Sequence, residues 1–198
     1  MEIFKRNYIF EIRANEDKEN KNYTLTGRPI VYNSKTDLGY FDEVIESGAL
    51  DKADLKDVRF LVNHDTSKIP LARATEKNKN STMRFSVDKN GMEISVELDV
   101  ENNSEARALY SAVQRGDITG MSFMFTIDGE EWENLESEHP TRHIKSIGQV
   151  FEVSAVTFPA YEASEISARD KKSLDDAVNK ASPNDLDLLK LKAKYIYK

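Results

Sequence analysis

The sequence has no cysteine among its 198 residues. This absence excludes disulfide bonds, thiolate metal sites and cysteine nucleophiles. Histidine is also scarce, with three residues in the chain. Because histidine is the most frequent general base and a common metal ligand near neutral pH, a search for either kind of site starts from few candidates.

The sequence also lacks an apolar run long enough to cross a bilayer. Its first segment, MEIFKRNYIFEIRANEDKEN, has neither the long apolar core nor the small-residue cleavage site of a secretory signal peptide. We therefore expect a cytoplasmic protein without a membrane partner.

The chain has fewer basic than acidic residues. It contains 28 Lys and Arg residues and 35 Asp and Glu residues, which gives a formal net charge of −7. A protein whose main partner is nucleic acid needs a dense basic patch to neutralise phosphates. We therefore expect no nucleic acid as the main partner. The basic end, LKLKAKYIYK, is more typical of the solvated face of a terminal helix than of a binding tail.

The chain contains instead a series of alternating apolar patterns, which are typical of strands. The clearest is a hairpin over residues 81–100, where apolar residues alternate on both sides of the turn DKNG. Further strands are predicted over residues 7–14, 23–33, 58–65, 118–127 and 141–160.

One helix is well marked, in the segment NSEARALYSAVQRG. Either Asn103 or Ser104 can act as its N-cap, Glu105 lies in the first turn, and Gly116 is a stop signal. Apolar residues between these ends repeat at helical spacing. The pattern predicts an amphipathic helix that packs on the strands.

These elements predict a mainly β protein (α+β), in which a bent or closed β-barrel is flanked by a few helices. The composition changes near residue 169, after which the chain is charged, free of glycine and broken at Ser182 and Pro183. We therefore expect a domain over residues 1–168 and a charged helical tail over residues 169–198.

Ser122 is a single hydroxyl within the apolar segment GMSFMF. A serine becomes a nucleophile when a neighbouring base accepts its proton. Gly120, two residues earlier on the same predicted face, would leave room for a substrate backbone. Ser154, in VFEVSAVTF, is a competing candidate, and on local sequence alone a structural serine in the core is the commoner case.

His64 is the candidate base for such a serine. It ends the segment VRFLVNHD, whose alternation predicts that it lies on the same face as Val58, Phe60 and Val62. A structural histidine at the edge of the core, bonded to a backbone carbonyl, would fit the same pattern. The local sequence leaves both interpretations open.

His139 and His143 have the four-residue spacing of a helical metal site. Pro140 disfavours a helix at His139, and no third ligand follows at a convincing spacing. We therefore expect no zinc site and no other metal or cofactor.

Glu152 is the candidate for a third catalytic residue. It lies in an apolar strand, where an inward carboxylate is costly unless it is paired or hydrogen-bonded. An outward Glu152 on a one-sided sheet is the alternative. Asp65 could orient His64 instead, but adjacent residues in a strand point to opposite faces.

Four segments, in their order along the chain, resemble the prohead proteases of HK97-type tailed bacteriophages. They are GRPIVYNS…DLGYFDEVIESGAL, VRFLVNHD, ALYSAVQRGDITGMSFMF and VFEVSAVTFPAYEAS, and together they cover about residues 25–168. The family is distantly similar in fold to the herpesvirus maturation protease. The resemblance therefore implies a herpesvirus-protease-like fold.

The resemblance also implies a serine endopeptidase with His64 as base and Ser122 as nucleophile. Glu152 aligns with the family's acidic residue, which we take as the third member. The related herpesvirus enzymes use a second histidine there, and this segment contains none.

Proteases of this family are packaged in the immature capsid, cleave the scaffolding segment of the major capsid protein and then cleave themselves. The resemblance thus implies that substrate, a location inside the prohead in the bacterial host cytoplasm, and self-cleavage near residues 165–185. Self-association into a homo-oligomer is compatible with it. A catalytically inactive capsid-assembly domain of the same fold is the alternative, and an unrelated esterase is disfavoured because Ser122 lacks the G-x-S-x-G elbow.

Overall fold

The computed structural model describes residues 2–8, 12–17, 19, 22–76, 80–157 and 163–181. These residues form eleven strands and two helices. The strands are β1 (Phe4–Tyr8), β2 (Arg13–Asp17), β3 (Asn22–Val31), β4 (Lys35–Asp37), β5 (Asp42–Ile45), β6 (Asp57–Val62), β7 (Ala72–Thr75), β8 (Met83–Asp88), β9 (Gly91–Leu98), β10 (Gly120–Glu133) and β11 (Thr141–Val156). The helices are α1 (Ser104–Arg115) and α2 (Ala163–Lys180).

The strands are divided between two sheets. The larger sheet has the order β1-β10-β11-β5-β4, and β6 pairs with a later part of β11 and with β7. The smaller sheet has the order β2-β3-β9-β8. The register of β10 against β11 shifts repeatedly between Met124 and Glu130, and such bulges bend a sheet.

The prediction of a mainly β protein with few helices is therefore confirmed, but the closed barrel is wrong for the described strands, which form two separate sheets. An alternating pattern indicates that a segment is a strand and leaves open which strand it pairs with. The herpesvirus-like fold is not confirmed.

Both sheets and α1 pack on one shared apolar core. Asn103 caps α1 by accepting hydrogen bonds from two N–H groups of its first turn, and Gly116 ends it in the left-handed conformation. The buried face of α1 consists of Ala106, Leu109, Tyr110 and Val113. The predicted helix is thus confirmed, with Asn103 rather than Ser104 as its N-cap.

The predicted hairpin is confirmed as β8 and β9, which pair from Met83 opposite Val96 to Asp88 opposite Gly91. Gly91 has a φ of +126°, and a Cβ there would lie 2.0 Å from the carbonyl oxygen of Ile30 in β3. Glycine is therefore required where this hairpin meets the neighbouring strand.

Of the predicted strand over residues 7–14, residues 9–11 lie outside the described residues, and its two described ends do not belong to one strand. β1 ends at Tyr8 and β2 begins at Arg13, and the two strands belong to different sheets. β10 also extends beyond the predicted strand over residues 118–127, because it continues to Glu133 through the charged stretch DGEEWE. Charged residues are tolerated there because this end of β10 is largely exposed.

The predicted domain boundary at residue 168 falls within α2, and residues 182–198 of the predicted tail lie outside the described residues. The start of the predicted tail is not fully exposed, because Asp170 and Ser173 are buried. Within the described residues, no helix is both long enough and apolar enough to span a membrane.

Candidate active site

His64 lies in a turn that follows β6. The strand ends at Val62, and both Asn63 (φ +51°) and His64 (φ +57°) are in the left-handed region. The alternation of β6 therefore does not extend to His64, and the prediction that it shares the face of Val58 and Phe60 is wrong.

The turn is fixed to the end of β11 through Asn63. Its backbone N–H donates to the carbonyl oxygen of Ala155 (2.9 Å). Its side-chain amide donates to Thr157 Oγ1 (3.1 Å) and accepts from the Thr157 N–H (2.9 Å). Asparagine tolerates the left-handed conformation better than most residues, so Asn63 both permits the turn and anchors it beside β11.

The ring of His64 contacts Glu152 of β11. His64 Nδ1 lies 2.5 Å from Glu152 Oε1, and the two residues are 8% and 2% exposed. An ionised carboxylate can only accept hydrogen bonds, so the contact places a proton on Nδ1. In a neutral ring the lone pair is then on Nε2, which is the tautomer that a general base of this kind requires.

Ser154 completes this contact. Its hydroxyl donates to Glu152 Oε2 (2.5 Å) and accepts from the backbone N–H of His64 (3.1 Å). Both oxygens of Glu152 are therefore hydrogen-bonded, which allows the carboxylate to be buried. The geometry gives Ser154 a positioning task for both His64 and Glu152.

Ser122 lies on the neighbouring strand, β10. It is directly opposite Ser154 in the antiparallel register, and Met124 is opposite Glu152. Residues opposite each other share a face of the sheet, with Cβ atoms about 4.5–5.5 Å apart. The structure therefore brings Ser122 to the same face as the cluster of His64, Glu152 and Ser154.

The hydroxyl of Ser122 points within that face towards β1, which is the strand on the edge of β10 away from β11. It donates to the carbonyl oxygen of Arg6 in β1 (2.8 Å), and β1 and β11 flank β10 on opposite edges. Among the described residues, this hydrogen bond is to Arg6 and not to His64. Ser122 and Gly120 are both buried, so the space expected beside Gly120 is not open to solvent in the described structure.

Asp65, the rival orienting residue, lies away from the ring contact. Its Oδ1 accepts hydrogen bonds from the N–H and the hydroxyl of Ser67. These hydrogen bonds lower the pKa of the exposed Asp65 carboxyl. Asp65 thus stabilises its own turn, and Glu152 is the carboxylate at His64.

His139 and His143 do not meet at a common site. His143 Nδ1 contacts Glu46 (2.7 Å), whereas His139 Nε2 contacts Asp42 (3.1 Å). The ligand atoms of His139, Asp42 and Asp37 lie within 4.8 Å of one another. This group is partly exposed, and exposed acidic residues often cluster without a metal, so the three residues do not define a site.

An apolar cavity of about 380 Å³ lies beside the His64 turn. Leu61, Asn63 and Ile69 contribute one side, and Ala108 and Ala112 of α1 contribute the other. The charged residues Asp65, Lys68 and Glu105 also line it, so the cavity is a largely apolar space next to the turn.

A second cluster, which sequence reasoning missed, surrounds the side chain of Arg6. Its Nε lies 2.5 Å from Glu43 Oε1 in β5, and its Nη2 lies 2.9 Å from Asp170 Oδ1 in α2. All three side chains are at most 2% exposed. Burial raises the pKa of Asp170, and the charge of Arg6 partly offsets this effect. No local pattern signals such a cluster, because its members are far apart in sequence.

Comparison with protein families agrees with the prohead serine-protease interpretation at the level of the family. The sequence profile of the caudovirus prohead serine proteases matches residues 9–178. The solved structure of the bacteriophage T4 capsid assembly protease, gp21, is similar with a TM-score of 0.43 and 8% identity, over 78% of this chain and 97% of that chain. No curated protein matches the chain significantly.

Proposed function

Because this chain belongs to the family of caudovirus prohead serine proteases, we propose that it is a serine endopeptidase of capsid maturation. In this proposal Ser122 is the nucleophile, His64 is the general base and Glu152 orients His64. The observation that carries the assignment is the buried contact of His64 Nδ1 with Glu152 Oε1, one strand away from Ser122 on the same face.

The reaction is an acyl transfer in two halves. Ser122 Oγ attacks the scissile carbonyl carbon, and its proton passes to His64 Nε2. His64 then returns the proton to the departing amine, which leaves an acyl-enzyme on Ser122. Water attacks this ester in the same way, with His64 as base, and releases the acid and the free hydroxyl. Glu152 stabilises the imidazolium that forms in each half.

The described state must rearrange before this reaction. The hydroxyl of Ser122 must leave the carbonyl of Arg6 and turn towards β11, a rotation of about 120° between staggered side-chain conformations. Catalytic hydrogen bonds often form only when substrate is bound. The bond to Arg6 therefore describes a resting state.

The proposed substrate is the scaffolding segment of the major capsid protein, cleaved inside the assembling prohead in the host cytoplasm. The family name supports a prohead as the place of action. The apolar cavity beside the His64 turn supports a substrate with an apolar side chain near the cleaved bond. We also propose self-cleavage near residues 165–185, where cleavage within α2 would require the helix to unwind.

A catalytically inactive capsid-assembly domain of the same fold is the second candidate. The full burial of Ser122 and its bond to Arg6 favour it. The retained contact of His64 with Glu152 favours the enzyme, because a buried carboxylate and imidazole are costly to maintain without a use.

Co-expression with the major capsid protein tests the proposal, with Ser122→Ala and Ser154→Ala as a matched pair. Ser122→Ala removes a single hydroxyl and should abolish cleavage while thermal unfolding stays near that of the wild type. Ser154→Ala loses the hydrogen bonds to Glu152 and His64, so we expect slower but measurable cleavage.

Cleavage by Ser122→Ala would reject Ser122 as the nucleophile. Complete loss in Ser154→Ala alone would transfer that role to Ser154. Intact capsid protein with the wild-type chain would support the inactive domain.

A further inference from the structure

We propose that β1 is an intramolecular inhibitory strand, which occupies the edge of β10 where an extended segment of the substrate protein binds. The inference rests on the proposed function, because it concerns access to Ser122. It assigns a binding surface, the β10 edge from Met121 to Phe125, and a partner, an extended peptide segment.

β1 covers this edge as an extended peptide would. It is the outermost strand of the larger sheet and pairs antiparallel with β10, from Phe4 opposite Phe125 to Tyr8 opposite Met121. The paired stretch has Ser122 near one end. Exposed backbone groups of a sheet edge are a template for an extended peptide, so removing β1 would present such a template directly beside the nucleophile.

β1 also holds the hydroxyl that must react. Ser122 Oγ donates its hydrogen to the carbonyl oxygen of Arg6 at 2.8 Å. A hydroxyl has one proton to donate, so it cannot give that proton to His64 while this bond is intact. The same strand therefore covers the binding edge and keeps the nucleophile away from its base.

The side chain of Arg6 fixes this carbonyl in place. Its guanidinium makes two bonds to Glu43, through Nε (2.5 Å) and Nη2 (2.8 Å), and one to Asp170 (2.9 Å). We call Arg6, Glu43 and Asp170 the Arg6 lock. Because the carbonyl and the guanidinium belong to one residue, the lock couples the position of α2 to the state of Ser122.

The Arg6 lock is not fully satisfied, as expected for a contact that must be released. Within the described part of the chain, Asp170 Oδ2 is buried without a hydrogen-bond partner. The neighbouring Arg142 Nη1 also lacks a hydrogen bond there, and it lies 3.6 Å from Glu43 Oε2 as an ion pair. Buried charges that lack part of their hydrogen bonding stabilise a structure less than well-packed apolar residues do. A substrate segment could therefore compete with β1 for the edge.

A reversible cross-link tests the inference directly. The chain has no cysteine, so Lys5→Cys combined with Met124→Cys gives a single disulfide between residues that are opposite in the register. Such pairs have Cα atoms about 4.5–5.5 Å apart, within the range that a disulfide spans. The oxidised protein should cleave capsid protein at least tenfold more slowly than the same protein after reduction.

The matched control is Arg84→Cys with Ser95→Cys, an opposite pair in the β8–β9 hairpin. Its cleavage rate should be the same before and after reduction. Equal rates for the oxidised and reduced β1–β10 variant would overturn the inhibitory strand. If that result occurs while Ser122→Ala is inactive, the proposed function stands; cleavage by Ser122→Ala would instead show that the proposed function is wrong.

A second variant tests the Arg6 lock without cysteines. Asp170→Asn removes one charge from the lock and should increase the initial cleavage rate several-fold. Asp175→Asn, an exposed carboxylate on the same helix, should leave the rate unchanged. Thermal unfolding of both variants separates release of β1 from general destabilisation, and equal rates for Asp170→Asn and wild type in folded protein would contradict control by the lock.

Discussion

Replacing Glu152 with glutamine removes a buried charge from the ring of His64 and keeps the size of the side chain. Glu152 is 2% exposed, and its Oε1 lies 2.5 Å from His64 Nδ1. In the proposed reaction His64 becomes an imidazolium, which a carboxylate stabilises and a neutral amide does not. A glutamine also has one acceptor atom for the two donors at His64 and Ser154, so one hydrogen bond is lost.

The distance gives the magnitude of this effect. The contact of Oε1 with Nδ1 places the two charge centres roughly 4 Å apart, where unit charges interact by about 4 kcal/mol at an effective dielectric constant of about 20. Losing about 4 kcal/mol in the transition state slows a reaction roughly a thousandfold. We therefore expect Glu152→Gln to lower kcat about a thousandfold and to change KM little.

The assay is cleavage of purified capsid protein at saturating concentration, with Asp65→Asn as the matched control. Asp65 uses Oδ1 to accept from Ser67, and the Oδ1 atom of an asparagine can do the same. We expect Asp65→Asn to stay within about threefold of the wild type, because exposed charges of this kind contribute little. Thermal unfolding shows whether both variants are folded.

A folded Glu152→Gln that keeps more than a tenth of the wild-type rate would refute this reasoning. The reverse outcome, a slow Asp65→Asn and a normal Glu152→Gln, would transfer the orienting role to Asp65.

Two further predictions concern stability and titration. Gly91→Ala should lower the free energy of unfolding by more than about 2 kcal/mol, because its Cβ would lie 2.0 Å from a carbonyl oxygen of β3. Gly39→Ala, with φ +86° and open space around the site, should lose about 1 kcal/mol; equal losses in urea unfolding would contradict the steric argument. The Arg28 guanidinium lowers the pKa of Asp88 from 3.8 to about 2, so the pair stabilises the fold above pH 3.8 and that contribution is lost as the pH falls through about 2. An NMR titration should return the Asp88 midpoint towards 3.8 in Arg28→Gln, and an unchanged midpoint would contradict this cause.

The elements that sequence predicts well have local causes. The hairpin turn contains Gly91 at a position that requires positive φ, and α1 has a capping asparagine and a terminal glycine. Such signals lie within a few residues of one another. The separation of β1 from β2 has no local signal, because each strand takes its sheet from partners far along the chain.

In the candidate site, too, the features with local causes could be predicted from sequence and those that depend on long-range contacts could not. The residue types at His64, Ser122 and Glu152 could be selected from sequence, but the face of His64 could not, because two left-handed residues end the alternation of β6. The bond of Ser122 to Arg6 was also invisible to sequence, since the two residues are 116 positions apart. Long-range contacts of this kind are decided by the packing of whole strands.

The most direct test of the central claim is to label the protein with a fluorophosphonate serine probe and map the adduct by mass spectrometry. The Ser122 oxygen would form the new bond to phosphorus as fluoride leaves, with the proton taken by His64. We predict an adduct on Ser122 in a preparation that cleaves capsid protein, and none in Ser122→Ala. An adduct on Ser154, or no adduct in a preparation that cleaves, would contradict the assignment of Ser122 as the nucleophile.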